Sequence, residues 1–238
     1  LREQTEYILF DIFSLKVATS DMTEITLIRH GQAQTGATDE KSYDNLSDLG
    51  HSQAQSLGTY FKQSHRFDRV ISGTMNRQIQ TARSLGLQDT PHHRDDRLNE
   101  LDYFGLSNSL QTIHGISPPE QGQSFDAHIA KIIDVWRKGD ICAELESYQV
   151  FCQRIMAALR DVLGQKDRVL LVTSTGVIST LAALALGLDA DKKAKMFMSV
   201  AHTSIHKFEF REENLFLTQF GATPHLDRHD GKNPKTFF

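Results

Sequence analysis

Between residues 23 and 220, short apolar runs alternate with longer stretches in which apolar residues return every three or four positions. Such a chain is expected to build a mostly parallel sheet, because parallel neighbours need a long crossover and helical crossovers cover the sheet on both faces. The apolar runs are EITLI (24–28), FDRVIS (67–72), RVLLVT (168–173), SIHKFEF (204–210) and NLFLTQF (214–220). Helical spacing is read at residues 46–64, 75–87, 123–138, 148–163 and 176–186. In the first of these, Ser47 is a plausible N-cap and Leu49, Leu57, Tyr60 and Phe61 share a face. The last two strands are separated only by a short charged turn, so they are expected as an antiparallel edge. The fold expected is a three-layer α/β/α sandwich in one domain, residues 22–238. Within it, residues 103–123 are read as a substrate-loop insertion and 221–238 as a C-terminal tail.

The chain has 238 residues, 39% of them hydrophobic, enough for one sizeable core. Its formal net charge of −4 is spread over mixed signs, with no basic block to hold a nucleic-acid backbone. The two cysteines, Cys142 and Cys152, are too few for a disulfide framework and lack metal-ligand spacing. A reduced, cytoplasmic setting is expected, without a metal or cofactor. Residues 1–21 are read as an N-terminal extension ahead of Met22, either upstream sequence or an artificial addition. Asp11 and Lys16 interrupt its apolar stretch, so neither a membrane span nor a secretory signal is expected there.

In α/β folds, ligands bind beyond the carboxyl ends of the strands. Three such places carry phosphate-binding or reactive residue types: Arg29-His30-Gly31 after the first strand, the SGTMNR loop with Arg77 after the second, and the Thr175-Gly176 turn after RVLLVT. The RLNELD loop adds Glu100. Each has a plainer reading when taken alone. His30 could be a structural histidine, Arg77 a surface cation, Glu100 a solvated acid, and His92 and His93 an exposed loop. What favours a site is their shared position just past predicted strands.

With those residues in view, the chain resembles the histidine phosphatase superfamily, the group that includes cofactor-dependent phosphoglycerate mutases. LIRHGQA resembles the family's strand-to-turn signature, LSDLGHSQAQSLG its first helix, ISGTMNRQIQTA its second-arginine motif and RLNELDYFG the segment bearing its catalytic acid. The resemblance implies that Arg29 and Arg77 clamp phosphoryl oxygens and that His30 is the nucleophile, forming a phosphohistidine. It implies Glu100 as general acid and then base, with no metal needed. The other ring nitrogen of His30 needs an acceptor, most simply a backbone carbonyl of the turn.

The sequence departs from the family pattern twice. Gly36 stands where many relatives have an asparagine, and the turn usually reading Ser-His-Gly is Ser174-Thr175-Gly176. A threonine hydroxyl donates one neutral hydrogen bond and supplies no cation. Losing one preorganised donor typically costs about 2.7 to 4 kcal/mol. Three readings of Thr175 stay open: an engineered change, a pseudoenzyme, or a bacterial branch that replaces the histidine naturally. The last is favoured, with His202 and His225 as candidate substitutes and Thr175 and Gly176 retained as phosphate contacts. The expected activity is hydrolysis of a small phosphate monoester. The alternatives are an impaired phosphate-binding or interaction protein, and a mutase-type phosphotransferase. Neither a nucleic acid nor a membrane is expected as a partner. Homodimer formation through the edge hairpin or the N-terminal extension stays open.

Overall fold

The structure is a computed structural model, which describes residues 23–34, 40–64, 66–119, 125–163, 167–211, 214–227 and 234–237. The expected N-terminal extension, Gly36 and residues 120–123 of the expected insertion lie outside the described residues. The described residues form a six-stranded sheet and eight α-helices.

The strands are β1 (Thr23–Arg29), β2 (Arg69–Ser72), β3 (His92–Arg94), β4 (Val169–Thr173), β5 (Ile205–Arg211) and β6 (Asn214–Ala222). Their order across the sheet is β3-β2-β4-β1-β5-β6. The first four are mutually parallel, while β5 runs antiparallel to β1 and β6 antiparallel to β5. The antiparallel edge read from the last two apolar runs is therefore present, in a three-layer α/β/α fold.

The helices are α1 (Glu40–Tyr43), α2 (Asp48–Ser64), α3 (Asn76–Ser84), α4 (Tyr103–His114), α5 (Phe125–Lys138), α6 (Tyr148–Val162), α7 (Thr175–Leu186) and α8 (Ala190–Met198). Side-chain alternation along β4 separates the two cores. Leu170 and Val172 pack with Leu57 and Phe61 of α2, whereas Val169 and Leu171 join Ile155, Leu159, Ile178 and Leu181 from α6 and α7. All five residues of β4 are buried, as a central parallel strand requires. A one-residue slip would exchange every side chain between the two faces, and each buried leucine contributes roughly 1.5–3 kcal/mol. Register at the centre is therefore strongly specified.

Three local expectations are corrected. Residues 103–114 are helical rather than an insertion loop. Asp102 caps α4 by accepting a hydrogen bond from the Gly105 N–H at 2.8 Å, while Leu106 and Leu110 are buried in the core. The serines and glutamine that made this stretch look loop-like include Ser107 and Ser109, both buried. His92 and His93 belong to the short edge strand β3, and the His92 ring bonds Ser72 Oγ at 2.8 Å. Finally, β6 extends through Ala222, so the first two residues assigned to the tail are strand. Among the described residues no helix is long and apolar enough to cross a membrane.

Candidate active site

The site sits where adjacent parallel strands part. From the end of β1 the chain proceeds to α2 on one face of the sheet, and from the end of β4 it enters α7 on the other. Divergence of this kind opens a crevice at the carboxyl ends of the strands. Arg29 closes β1, and the His30 N–H donates to the carbonyl of Thr173, the last residue of β4, at 2.9 Å. Gly31 must be a glycine here, because a Cβ would lie 2.4 Å from the Gly50 carbonyl oxygen of α2. That contact ties LIRHG to LSDLG, whose Ser47 hydroxyl accepts from the Gly50 N–H at 3.1 Å.

His30 is buried and its orientation is fixed. Its Nδ1–H donates to the Gly31 carbonyl at 2.8 Å, so the lone pair lies on Nε2. Burial, followed by the charges of Arg77 and Arg29 and the presence of His202, holds the imidazole well below its ordinary pKa of 6.5. The ring is therefore neutral in the resting site.

The arginines approach from different elements. Arg29 Nη1 donates to the carbonyls of Val200 and Phe237, both at 2.6 Å. Arg77, buried at the start of α3, is anchored on Asp44. The Asp44 Oδ1 accepts from the Arg77 backbone N–H at 3.2 Å and from Nη1 at 3.0 Å, while Oδ2 accepts from the Asn76 N–H at 2.9 Å. The guanidinium also lies 5.0 Å from the centroid of the Tyr43 ring, and that ring meets His30 edge-on at 6.5 Å. Tyr43 and Asp44 were missed in the sequence because nothing in KSYDNLS shows periodicity. The signal available was an aromatic-acid pair in the loop leaving the RHG turn.

Glu100 lies against the N-terminus of α7. Its two carboxyl oxygens accept from the Gly176 N–H at 2.9 and 3.1 Å, and Oε1 also accepts from the Leu101 N–H at 3.0 Å. Burial raises the carboxyl pKa above 4.5 and outweighs those bonds and the nearby Arg77 and Arg29 charges. Arg154 of α6 steadies the loop that carries it. Its Nη1 donates to the carbonyls of Arg97 and Asn99 at 2.7 and 2.9 Å, with Glu146 as its ionic partner at 2.7 Å. This role was hidden in a helix read only for its apolar face.

The structure brings Arg29, His30, Arg77, Glu100 and Gly176 into this one crevice, with Thr175 beginning α7 beside them. Thr175 Oγ1 is buried and has no hydrogen-bond partner among the described residues. The two candidate substitutes differ. The ring of His202 lies 5.7 Å from that of His30, whereas His225 Nε2 bonds Thr203 Oγ1 at 2.8 Å. Thr203 in turn donates its N–H to the carbonyls of Arg29 and His30 at 3.2 and 3.3 Å, which makes His225 a buttress behind the turn. Among the described residues, no cluster of three histidine, cysteine or acidic side chains could hold a metal.

The model of the histidine phosphatase superfamily (branch 1) matches residues 25–223. The chain belongs to this superfamily. Solved structures of similar fold include a phosphoglycerate mutase from Bacillus anthracis, with a TM-score of 0.64 and 19% identity over 87% of this chain and 96% of that one. The alpha-ribazole phosphatase of Shigella flexneri gives a TM-score of 0.60 and 24% identity over 84% and 97% of the two chains. A phosphoserine phosphatase of Entamoeba histolytica gives 0.55 and 22%, covering 85% and 98%. No curated protein matches the sequence. The superfamily's structural neighbours thus include both phosphatases and a mutase.

Proposed function

We propose that the protein is a phosphohydrolase acting on a small phosphate monoester through a phosphohistidine on His30. The observation that carries this reading is the hydrogen bond from His30 Nδ1 to the Gly31 carbonyl, which leaves a lone pair on Nε2 of a neutral, buried ring that feels the charges of Arg77 and Arg29. In the first step Nε2 attacks phosphorus and the ester P–O bond breaks. Glu100 delivers its proton to the departing oxygen, a role suited to a carboxyl whose pKa is raised by burial. In the second step the Glu100 carboxylate takes a proton from water, the water oxygen bonds phosphorus and the N–P bond breaks, releasing phosphate. Arg29 and Arg77 meet the equatorial oxygens, so catalysis rests on positioning and a preorganised positive field.

A small substrate with one phosphoryl group is favoured because residues 103–119, which lead away from Glu100, contain no lysine or arginine to grip a second anion. Thr175 supports a second reading, a phosphate-binding protein of impaired turnover, since its hydroxyl brings no charge. Phosphate release from an aryl phosphate, with chelator present, separates the two. Turnover in the parent that disappears in His30→Ala supports the phosphohydrolase. No turnover in the parent, with activity appearing in Thr175→His, would favour the impaired protein.

A further inference from the structure

We propose that His202 takes the place of the turn histidine that Thr175 replaces, and that the C-terminal segment, through Thr236, holds His202 with its Nε2–H toward the phosphoryl group. This deepens the phosphohydrolase reading and rests on it.

A chain of hydrogen bonds through Gln53 and Thr236 accommodates this tautomer. The Gln32 backbone N–H can only donate, and it meets Gln53 Oε1 at 3.1 Å. At the other end of the same amide, Gln53 Nε2 donates to the Pro234 carbonyl, which can only accept, at 3.0 Å. The orientation of the Gln53 amide is thereby fixed. Its Nε2 also donates to Thr236 Oγ1 at 3.0 Å, so that oxygen is an acceptor on this side. The other neighbour of that oxygen is His202 Nδ1, at 2.9 Å, to which the hydroxyl proton can be donated. With Nδ1 accepting, the proton of the neutral ring resides on Nε2.

His202 Nε2 is buried and has no partner among the described residues. A buried donor of this kind calls for an explanation, because nearly all such groups are hydrogen-bonded. A phosphoryl oxygen on His30 supplies the missing acceptor. The ring centroids lie 5.7 Å apart with the planes tilted by 54°, so the two rings are direct neighbours at the site. Backbone contacts hold the arrangement. The His202 N–H donates to the Thr236 carbonyl at 2.9 Å, and Phe237 offers its carbonyl to Arg29. The C-terminal segment therefore touches His202, Gln53 and Arg29 at once.

The test combines turnover of an aryl phosphate, vanadate binding by titration calorimetry, and the His202 tautomer read by nitrogen-15 NMR of the imidazole. His202→Ala is expected to lower kcat by roughly 10² to 10³, the usual effect of removing one preorganised donor, and to weaken vanadate binding. Thr175→His placed in the His202→Ala background is expected to recover about tenfold or more of the lost activity. Thr236→Val is expected to lose the pure Nε2–H signal and part of the activity, and Thr236→Ser to keep both. An Nδ1–H tautomer in the parent would overturn the proposal, as would vanadate affinity unchanged in His202→Ala. If the parent shows no turnover, the phosphohydrolase reading fails, while the vanadate and NMR results still decide whether His202 faces the anion. Should His202→Ala fold poorly, His202→Asn and the Thr236 pair carry the same comparison.

Discussion

His30 and His202 stand with ring centroids 5.7 Å apart, and each ties its Nδ1 to a different partner, the Gly31 carbonyl and the Thr236 hydroxyl. His30 gives its Nδ1–H to the Gly31 carbonyl and keeps a lone pair on Nε2. In the proposed tautomer His202 accepts the Thr236 hydroxyl on Nδ1 and keeps a proton on Nε2. On that proposal two chemically identical side chains do opposite work, attack and stabilisation, set by the hydrogen bond each makes away from the pocket. Burial lowers the pKa of both rings, followed by Arg77 and Arg29 at His30 and by Arg29 at His202, so neither ring is protonated in the resting site.

The pH dependence should reflect this division. In the proposed mechanism turnover needs His30 neutral and Glu100 protonated. Burial and the arginines push His30 well below 6.5, while burial lifts Glu100 above 4.5. Raising the pH leaves His30 unchanged and removes the Glu100 proton, so kcat/KM is expected to be highest on the acid side of neutrality and to fall through the raised Glu100 pKa. The check is a kcat/KM profile from about pH 4 to 8, corrected for the second ionisation of the substrate. A rising limb centred at the ordinary histidine value would contradict a buried, neutral nucleophile.

Glu100→Gln should discriminate between leaving groups. A nitrophenolate departs with little help, whereas an alkoxide needs a proton in the transition state. Removing the acid is therefore expected to cost about 10² to 10⁴ in kcat/KM, which reports the phosphorylation half alone, with an alkyl phosphate and much less with nitrophenyl phosphate. Equal losses on both substrates would assign Glu100 to holding Gly176 and Leu101 rather than to proton transfer.

The parts of this site legible in the sequence were those set by strand ends. Arg29, His30 and the Thr175 turn follow apolar runs directly, and the runs themselves mark five of the six strands, three as parallel and two as the antiparallel edge. Strand β3 was not legible, because three polar residues at a sheet edge carry no apolar pattern. Helix α4 reads as a loop in the sequence because its buried serines pack close to neighbouring backbone: Ser109 Oγ accepts the Cys142 N–H at 2.8 Å, a contact no periodicity encodes. Asp44, Gln53 and Thr236 were invisible for a related reason. Each acts through a partner at least 30 positions away in the chain, and short-range spacing does not report such pairs.

Asp44→Ala isolates one of those long-range contacts. Asp44 satisfies two backbone N–H groups at the start of α3 and one N–H of the Arg77 guanidinium. Its removal is expected to lower stability by about 1 kcal/mol, the usual effect of losing a cap at a helix start. It should also raise KM more than it lowers kcat, because Arg77 loses the carboxylate that aims it at bound substrate. Thermal unfolding and steady-state kinetics measure the two effects separately. A fall in kcat at constant KM would place Arg77 chiefly on the transition state instead.

Gly176→Ala tests the seat of the acid. A Cβ at this position would lie 2.1 Å from Glu100 Oε1 and 2.6 Å from Leu101 Cδ2, and Glu100 cannot yield without moving its carboxyl off the Gly176 N–H. Overpacking of this kind typically costs about 1 to 3 kcal/mol. Activity on an alkyl phosphate is expected to fall at least as far as in Glu100→Gln. Activity close to the parent would mean that Glu100 has more room than its hydrogen bonds imply.

Lys193, far from any expectation read in the sequence, offers a test of burial alone. It is fully buried in α8, and its Nζ has no hydrogen-bond partner among the described residues. The amine lies 4.4 Å from the centroid of the Tyr148 ring and 5.4 Å from that of Trp136. Burial is the leading cause of a pKa lowered to about 7. The unfolded chain keeps the ordinary value of 10.5, so between these two limits the unfolded state binds a proton that the folded state does not. Stability should therefore rise with pH from about 7 toward the unfolded value and, for this group, be at its lowest and level below 7. Lys193→Met keeps the linear apolar stem and removes the amine. It is expected to raise the midpoint of thermal unfolding at pH 7 by a few degrees, about 2–4 °C for each kcal/mol recovered. It should also flatten the dependence of that midpoint on pH between about 7 and 9. A midpoint that drops instead would show that the two aromatic rings stabilise the ammonium by more than its removal from water costs.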